Sequence, residues 1–242
     1  PRPASTGTAR TRPPVRDFAG GSTFTVEWDV RPVFDFMFSL STEAGSTDDL
    51  PAEDRRWLTE ARASLAADIR AEIKAFNETE MAIHVASFAV ERKDLRSVDD
   101  LLAAIEAASP QELLLAMIGD FEIGSAMAVI ARAAIAGDRD ALEQLVASNR
   151  DHGKGLRALL EDPESTRRRL QAVLAAWAVP FRTIESRVAS IGERDHALRA
   201  EDRATMDSLD LIEKTTGGVR WLPAAGIRRV ILGPSYFSRP YN

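Results

Sequence analysis

The chain has 242 residues, 45% of them hydrophobic and 28% charged, with a net charge of -6 and a pI near 5.3. That composition is rich enough to bury a real core, and its acidity opposes binding to a phosphate backbone by the chain as a whole. There is no cysteine, which excludes disulfides, thiolate metal sites and cysteine nucleophiles. No stretch reaches the about 18–20 apolar residues of a membrane span. No secretory signal opens the sequence, so the expectation is a soluble cytoplasmic protein with no membrane partner.

Residues 1–21 are rich in Pro, Thr, Ser, Gly and Arg and are expected to form a disordered tail. Arg2, Arg10, Arg12 and Arg16 there read as a solvated face in preference to a basic arm for a DNA groove. Residues 22–242 are expected to form one mainly α-helical domain. Thr23 to Trp28 alternates Phe24, Val26 and Trp28 with polar residues, the period of a strand. Pro32 then opens a short helix, where its missing N–H has no partner to lose.

A long amphipathic helix is predicted from Pro51 to about Ala75, with Leu58, Leu65, Ile69 and Ile73 at helical spacing, followed by a mostly apolar one from Glu80 to Val90. Ser97 with Asp100 resembles a capping box, and Ser109-Pro110-Gln111-Glu112 reads as a full one, with Ser as the cap, Pro in the first turn and Glu reaching back to the cap amide. Ile123 to Ile135 reads as a buried core helix. Gly137-Asp138 ends one helix and caps the next, and Asp162-Pro163 starts another. The last helical region is predicted from Pro180 to Lys214, with Gly192 as a point where it divides. Its apolar residues Ile184, Val188, Ile191, Leu198, Leu209 and Ile212 share a heptad-like frame that Asp195 and Asp202 interrupt. That pattern suits a partner-binding or dimer surface and a helix solvated in its middle equally well. Thr216-Gly217-Gly218 then breaks the helix. Val219 to Leu222 and Arg228 to Leu232 read as a hairpin that joins the N-terminal strand in a small antiparallel β-sheet.

Chemistry-bearing motifs are scarce. His84 lies on a largely apolar helix and reads as a satisfied histidine. His152-Gly153-Lys154-Gly155 lacks the first glycine and the Ser/Thr of a P-loop. Glu193 and His196 form one Glu-x-x-His, whereas a di-metal carboxylate bundle needs two and further glutamates, so neither a metal nor any other cofactor is expected. Arg167-Arg168-Arg169 reads as a solvated helix start. Trp221, Tyr236, Phe237 and Tyr241 gather beside Arg239, and aromatic walls around one guanidinium suit either a cover over the core or a ligand pocket.

Two segments carry a resemblance. The run from Thr215 (Thr-Thr-Gly-Gly-Val-Arg-Trp-Leu-Pro) and from Gly226 (Gly-Ile-Arg-Arg-Val-Ile-Leu-Gly-Pro-Ser-Tyr-Phe-Ser-Arg-Pro-Tyr-Asn) resembles the end of the large N-terminal region in a subgroup of ArsR-type transcriptional regulators. Val26 to Leu40 (Val-Glu-Trp-Asp-Val-Arg-Pro-Val-Phe-Asp-Phe-Met-Phe-Ser-Leu) resembles the start of the same region. The match covers about 40 residues at the two ends of a middle that carries no sharp motif. It implies a ligand-sensing or dimerising region, non-enzymatic, a homodimer in solution, with DNA reached through a winged helix-turn-helix whose signature these 242 residues lack. A small organic effector is expected near Trp221, Tyr236, Arg239 and Tyr241. Without cysteine, the thiolate metal sensing of some members does not carry over. The competing expectations are a metal-dependent helical-bundle enzyme acting through Glu193 and His196, and a structural module that binds partners through the helical region from Ile184 to Ile212.

Overall fold

The computed structural model describes residues 24–41, 50–77, 81–118, 126–148, 153–220 and 229–237, the residues 81–84 and 153–155 by their backbone alone. The domain is mainly α-helical with a two-stranded sheet. Strand β1 (Thr25–Trp28) leads into α1 (Pro32–Leu40), α2 (Ala52–Ser64), α3 (Ala67–Asn77) and α4 (Met81–Val90). Then follow α5 (Val98–Ala107), α6 (Pro110–Ile118), α7 (Ala126–Ile135), α8 (Arg139–Ser148) and α9 (Gly153–Leu160). The chain closes through α10 (Pro163–Phe181), α11 (Glu185–Leu198), α12 (Ala200–Thr205), α13 (Ser208–Thr215) and strand β2 (Arg229–Leu232). Among the described residues no helix is long and apolar enough to cross a membrane.

The longest helix, α10, runs through the middle and packs on α1, α2, α3, α5, α6 and α9. Its inward face explains why: Leu170, Val173, Leu174, Trp177 and Phe181 are all fully buried. Trp177 also carries a polar atom into the core, and its Nε1 donates to Ser39 Oγ at 3.0 Å. Phe36 of α1 meets Phe181 edge to face at 5.3 Å between ring centroids.

The helix starts follow the local chemistry of the sequence. Pro32 occupies the first turn of α1. Ser97 and Asp100 form a reciprocal box, Ser97 Oγ accepting from Asp100 N at 3.2 Å and the Asp100 carboxylate from Ser97 N at 2.9 Å. Asp162 Oδ1 accepts from Ser165 N at 2.9 Å. Asp138 Oδ1 does the same for Asp140 and Ala141, following Gly137, which turns the chain at φ 97°. At Ser109 the hydroxyl accepts from Glu112 N at 3.1 Å, and the Glu112 carboxylate pairs with Arg92.

Several expectations about continuity are corrected. The predicted helix 51–75 is two helices, because Leu65 takes an extended backbone (φ -71°, ψ 147°) that drops its side chain into the core at 7% exposure. The region 180–214 is also interrupted. Pro180 falls at the end of α10, the chain turns before Glu185, and breaks at Arg199 and Met206–Asp207 separate α11, α12 and α13. Asp207 caps the last of these by accepting from Leu209 N and Asp210 N. The heptad frame is consequently not one seam: Ile184 and Val188 are buried, while Leu198 is 84% exposed. Gly192 does not divide its helix. It lies inside α11, where a Cβ would sit 3.7 Å from Val30 O and 4.0 Å from Pro234, so the helix passes close beside the strand layer there.

The sheet differs as well. β1 pairs with β2 in parallel, Thr25 opposite Arg229 through Trp28 opposite Leu232. An antiparallel arrangement was expected from a hairpin, but Val219 and Arg220 are not in a strand, and 221–228 lie outside the described residues. The intervening helices form a long crossover between β1 and β2, which is the connection that parallel neighbours require.

Candidate functional site

The strand pair hands the chain to a short segment that docks on the helical body. After Leu232, Gly233 passes so close to β1 that a Cβ would lie 3.2 Å from Asp29 O. Residues Ser235, Tyr236 and Phe237 then settle against α1, α2 and α11, with 4%, 7% and 6% exposure.

Asp35 organises this joint. It sits in the apolar face of α1 between Phe34 and Phe36, and is 4% exposed. Its Oδ1 accepts from Ser235 Oγ at 2.7 Å, from Tyr236 N at 2.7 Å and from Phe237 N at 3.3 Å. Burial pushes its pKa up from 3.8 to about 6, against the lowering effect of those three donors. A second acid, Asp54 of α2, takes the Tyr236 hydroxyl on one oxygen and the Arg187 guanidinium of α11 on the other. Asp54 is 1% exposed, so this is a buried charge with a cationic partner, as burial demands. The hydrogen bond to Asp54 raises the pKa of Arg187, against desolvation. Arg187 also lies 5.7 Å from the Tyr236 ring. Phe237 continues the contact inward, 5.9 Å from Trp57, which stands 6.0 Å from Trp177.

Next to the joint, Arg31 fixes the turn between β1 and α1. Its Nε and Nη2 grip Asp29 at 2.7 and 2.6 Å, and the guanidinium also donates to Ala89 O, Arg92 O and Leu95 O at the end of α4. Burial opposes the charge of Asp29, but Arg31 and Lys93 outweigh it and hold its pKa low.

On the other side of β1, Trp28 meets His196 of α11 at 5.5 Å between rings, and Arg203 of α12 at 5.8 Å. Arg203 Nη1 contacts His196 Nε2. Burial and the Arg203 charge lower the pKa of His196, so its neutral ring accepts from the guanidinium at Nε2. Away from these elements, a cleft of about 550 Å³ lies between α7, α8 and α9, lined by Ala134, Leu142 and Leu160 and by Arg157 paired with Glu143.

Of the ligand-binding residues expected from sequence, Tyr236 is placed in the joint, its hydroxyl engaged by Asp54; Trp221, Arg239 and Tyr241 lie outside the described residues. His152 and the side chain of His84 lie outside them too. Of the Glu-x-x-His pair, Glu193 is exposed and His196 faces Trp28 and Arg203. Among the described residues no group of three or more His, Asp or Glu could hold a metal ion. Asp35, Asp54 and Arg187 were not singled out by the sequence. For Asp35 a signal exists, an acid inside Val33-Phe34-Asp35-Phe36-Met37. For the Asp54–Arg187 pair, separated by 133 positions, there is none.

Comparison with protein-family models, with curated proteins and with solved structures finds no match to this chain.

Proposed function

We propose that this domain is the sensing and dimerising part of an ArsR-like transcriptional regulator, and that Gly233–Phe237 is the joint through which the helical body acts on a DNA reader. The observation that supports the reading most directly is the docking of that segment: three hydrogen bonds to one buried carboxylate and two aromatic side chains closed into the body. A segment so held moves with the helices it touches, so a ligand that favours one helix arrangement also favours one placement of whatever the segment carries. The resemblance of both chain ends to the regulator family concerns these elements, β1 and α1 at one end and β2 with the joint at the other. In this reading the helical body pairs with a second copy, a small organic effector binds it, with Trp221, Arg239 and Tyr241 as further candidate contacts, and DNA is bound by an adjoining winged helix.

Two measurements test it. Light scattering on the 242-residue chain is expected to give a dimer. A gel shift with the complete gene product and the DNA upstream of its own gene is expected to give a salt-sensitive complex, weakened in Tyr236→Ala. A monomeric domain together with a gene product that leaves that DNA unshifted overturns the proposal.

A further inference from the structure

The polar groups of the Trp28 corner are not balanced. Trp28 Nε1 and Arg203 Nε are both closed off from solvent, and neither meets an acceptor among the described residues. Indole and guanidinium nitrogens are donors only, so neither can satisfy the other. The nearby acids are engaged elsewhere, Asp195 with Arg199 at 2.8 Å and Asp202 with Lys214 at 2.6 Å. Because Arg203 Nη1 is turned to His196, the opposite edge of the guanidinium, Nε with Nη2, is the one left to receive an acceptor. That edge matches the two oxygens of a carboxylate. The same protein uses it so: Arg31 holds the two oxygens of Asp29 through Nε and Nη2 at 2.7 and 2.6 Å.

We propose that the corner formed by Trp28, His196 and Arg203 binds the carboxylate of a small organic acid, gripped by Arg203 through Nε and Nη2 and by Trp28 through Nε1. The two side chains lie side by side, and one carboxylate offers two acceptors about 2 Å apart, each reached at about 2.9 Å. The Arg203 guanidinium carbon is 5.8 Å from the Trp28 ring centre. His196 holds Nη1 and so limits rotation of the guanidinium. Arg203 sits on α12, a six-residue helix with no buried residue, bounded by non-helical backbone at Arg199 and Met206.

The site's position gives binding a route to the joint. Trp28 pairs with Leu232, and β2 continues directly into Gly233 and the segment clamped by Asp35. This role as effector site rests on the regulator reading; the binding itself does not.

The chain has four tryptophans, hence four indole N–H signals in a proton–nitrogen correlation spectrum. The signal missing in Trp28→Phe identifies Trp28. Sodium acetate and sodium benzoate are titrated separately at constant ionic strength against sodium chloride. A saturable downfield shift of the Trp28 signal is expected with at least one acid. Arg203→Lys, which keeps the charge and loses the planar edge, should weaken it about tenfold, and Arg203→Gln should remove it, with the rest of each spectrum unchanged. No saturable shift at tens of millimolar of either acid, or a shift equal in wild type and Arg203→Lys, overturns the site. The gel shift is independent of this titration, so loss of either result leaves the other standing.

Discussion

Replacing Asp35 by asparagine isolates the energetic cost of holding a charge inside the joint. The carboxyl pKa stands near 6 in the folded protein against an ordinary 3.8, so desolvation outweighs three donated hydrogen bonds. At 1.36 kcal/mol per pKa unit the difference amounts to about 3 kcal/mol. The sign follows from proton linkage. The folded state binds the Asp35 proton more tightly than the unfolded chain, so this group's contribution is most favourable below about pH 4 and is lost as pH rises through about 6. All three hydrogen bonds end on Oδ1, so the asparagine carbonyl oxygen accepts them in place and only the charge disappears. Whatever the amide group costs is the same at every pH, and it cancels when the two proteins are compared across the range. The unfolding free energy of wild type, minus that of Asp35→Asn, is therefore expected to fall by about 3 kcal/mol between about pH 3 and pH 7.5. In melting temperature that is roughly 6–12 °C for a domain of this size. Urea unfolding followed by circular dichroism at several pH values measures it. A gap that stays constant with pH, or one that widens in favour of wild type as pH rises, refutes the argument that burial dominates at this carboxyl.

Further expectations concern packing and caps. Gly233→Ala should destabilise by about 1–2 kcal/mol, since its Cβ would press on a backbone oxygen, whereas Gly192→Ala meets ordinary contact distances and should stabilise α11 by about 0.5–1 kcal/mol; urea midpoints distinguish them. Trp177→Ala should cost about 3–5 kcal/mol and lower the melting temperature steeply, because it empties the middle of the core. Ser97→Ala should cost about 1 kcal/mol by removing one half of the box that starts α5, read from the same unfolding curves.

The sequence was most legible where a structural event has a local cause. Caps at Ser97, Asp138 and Asp162 and the proline at the start of α1 depend on neighbours within three residues, and they stand as expected. The strand at Trp28 was readable from its period of two. Breaks were harder. Nothing at Leu65–Ala66 disfavours a helix locally, and the turn there exists because burying Leu65 and opening the angle to α3 satisfies the core. The break before α13 did have a signal, Asp207 ahead of Ser208-Leu209, which a continuous apolar frame concealed. Strand direction was illegible because the turn chemistry that fixes register in a hairpin is absent when the partners come from opposite ends of the chain. The joint is divided in the same way. Tyr236 drew attention by its aromatic neighbours and Asp35 could have drawn it by its apolar ones. The Asp54–Arg187 pair exists only through the packing of α2 against α11, which no window of sequence contains.

Pairing the two ends of the chain also has a kinetic side. Contacts between β1 and β2 close a loop of about two hundred residues, which costs roughly 2–3 kcal/mol more in chain entropy than closing a ten-residue turn. Little can repay that cost until the helices between have assembled and brought the ends near one another. The strand pair should therefore be among the last elements to form during folding, after the helices around α10. In native-state hydrogen exchange its amides become a gauge of the whole assembly: protection at β2 registers only when the helical body behind it is complete.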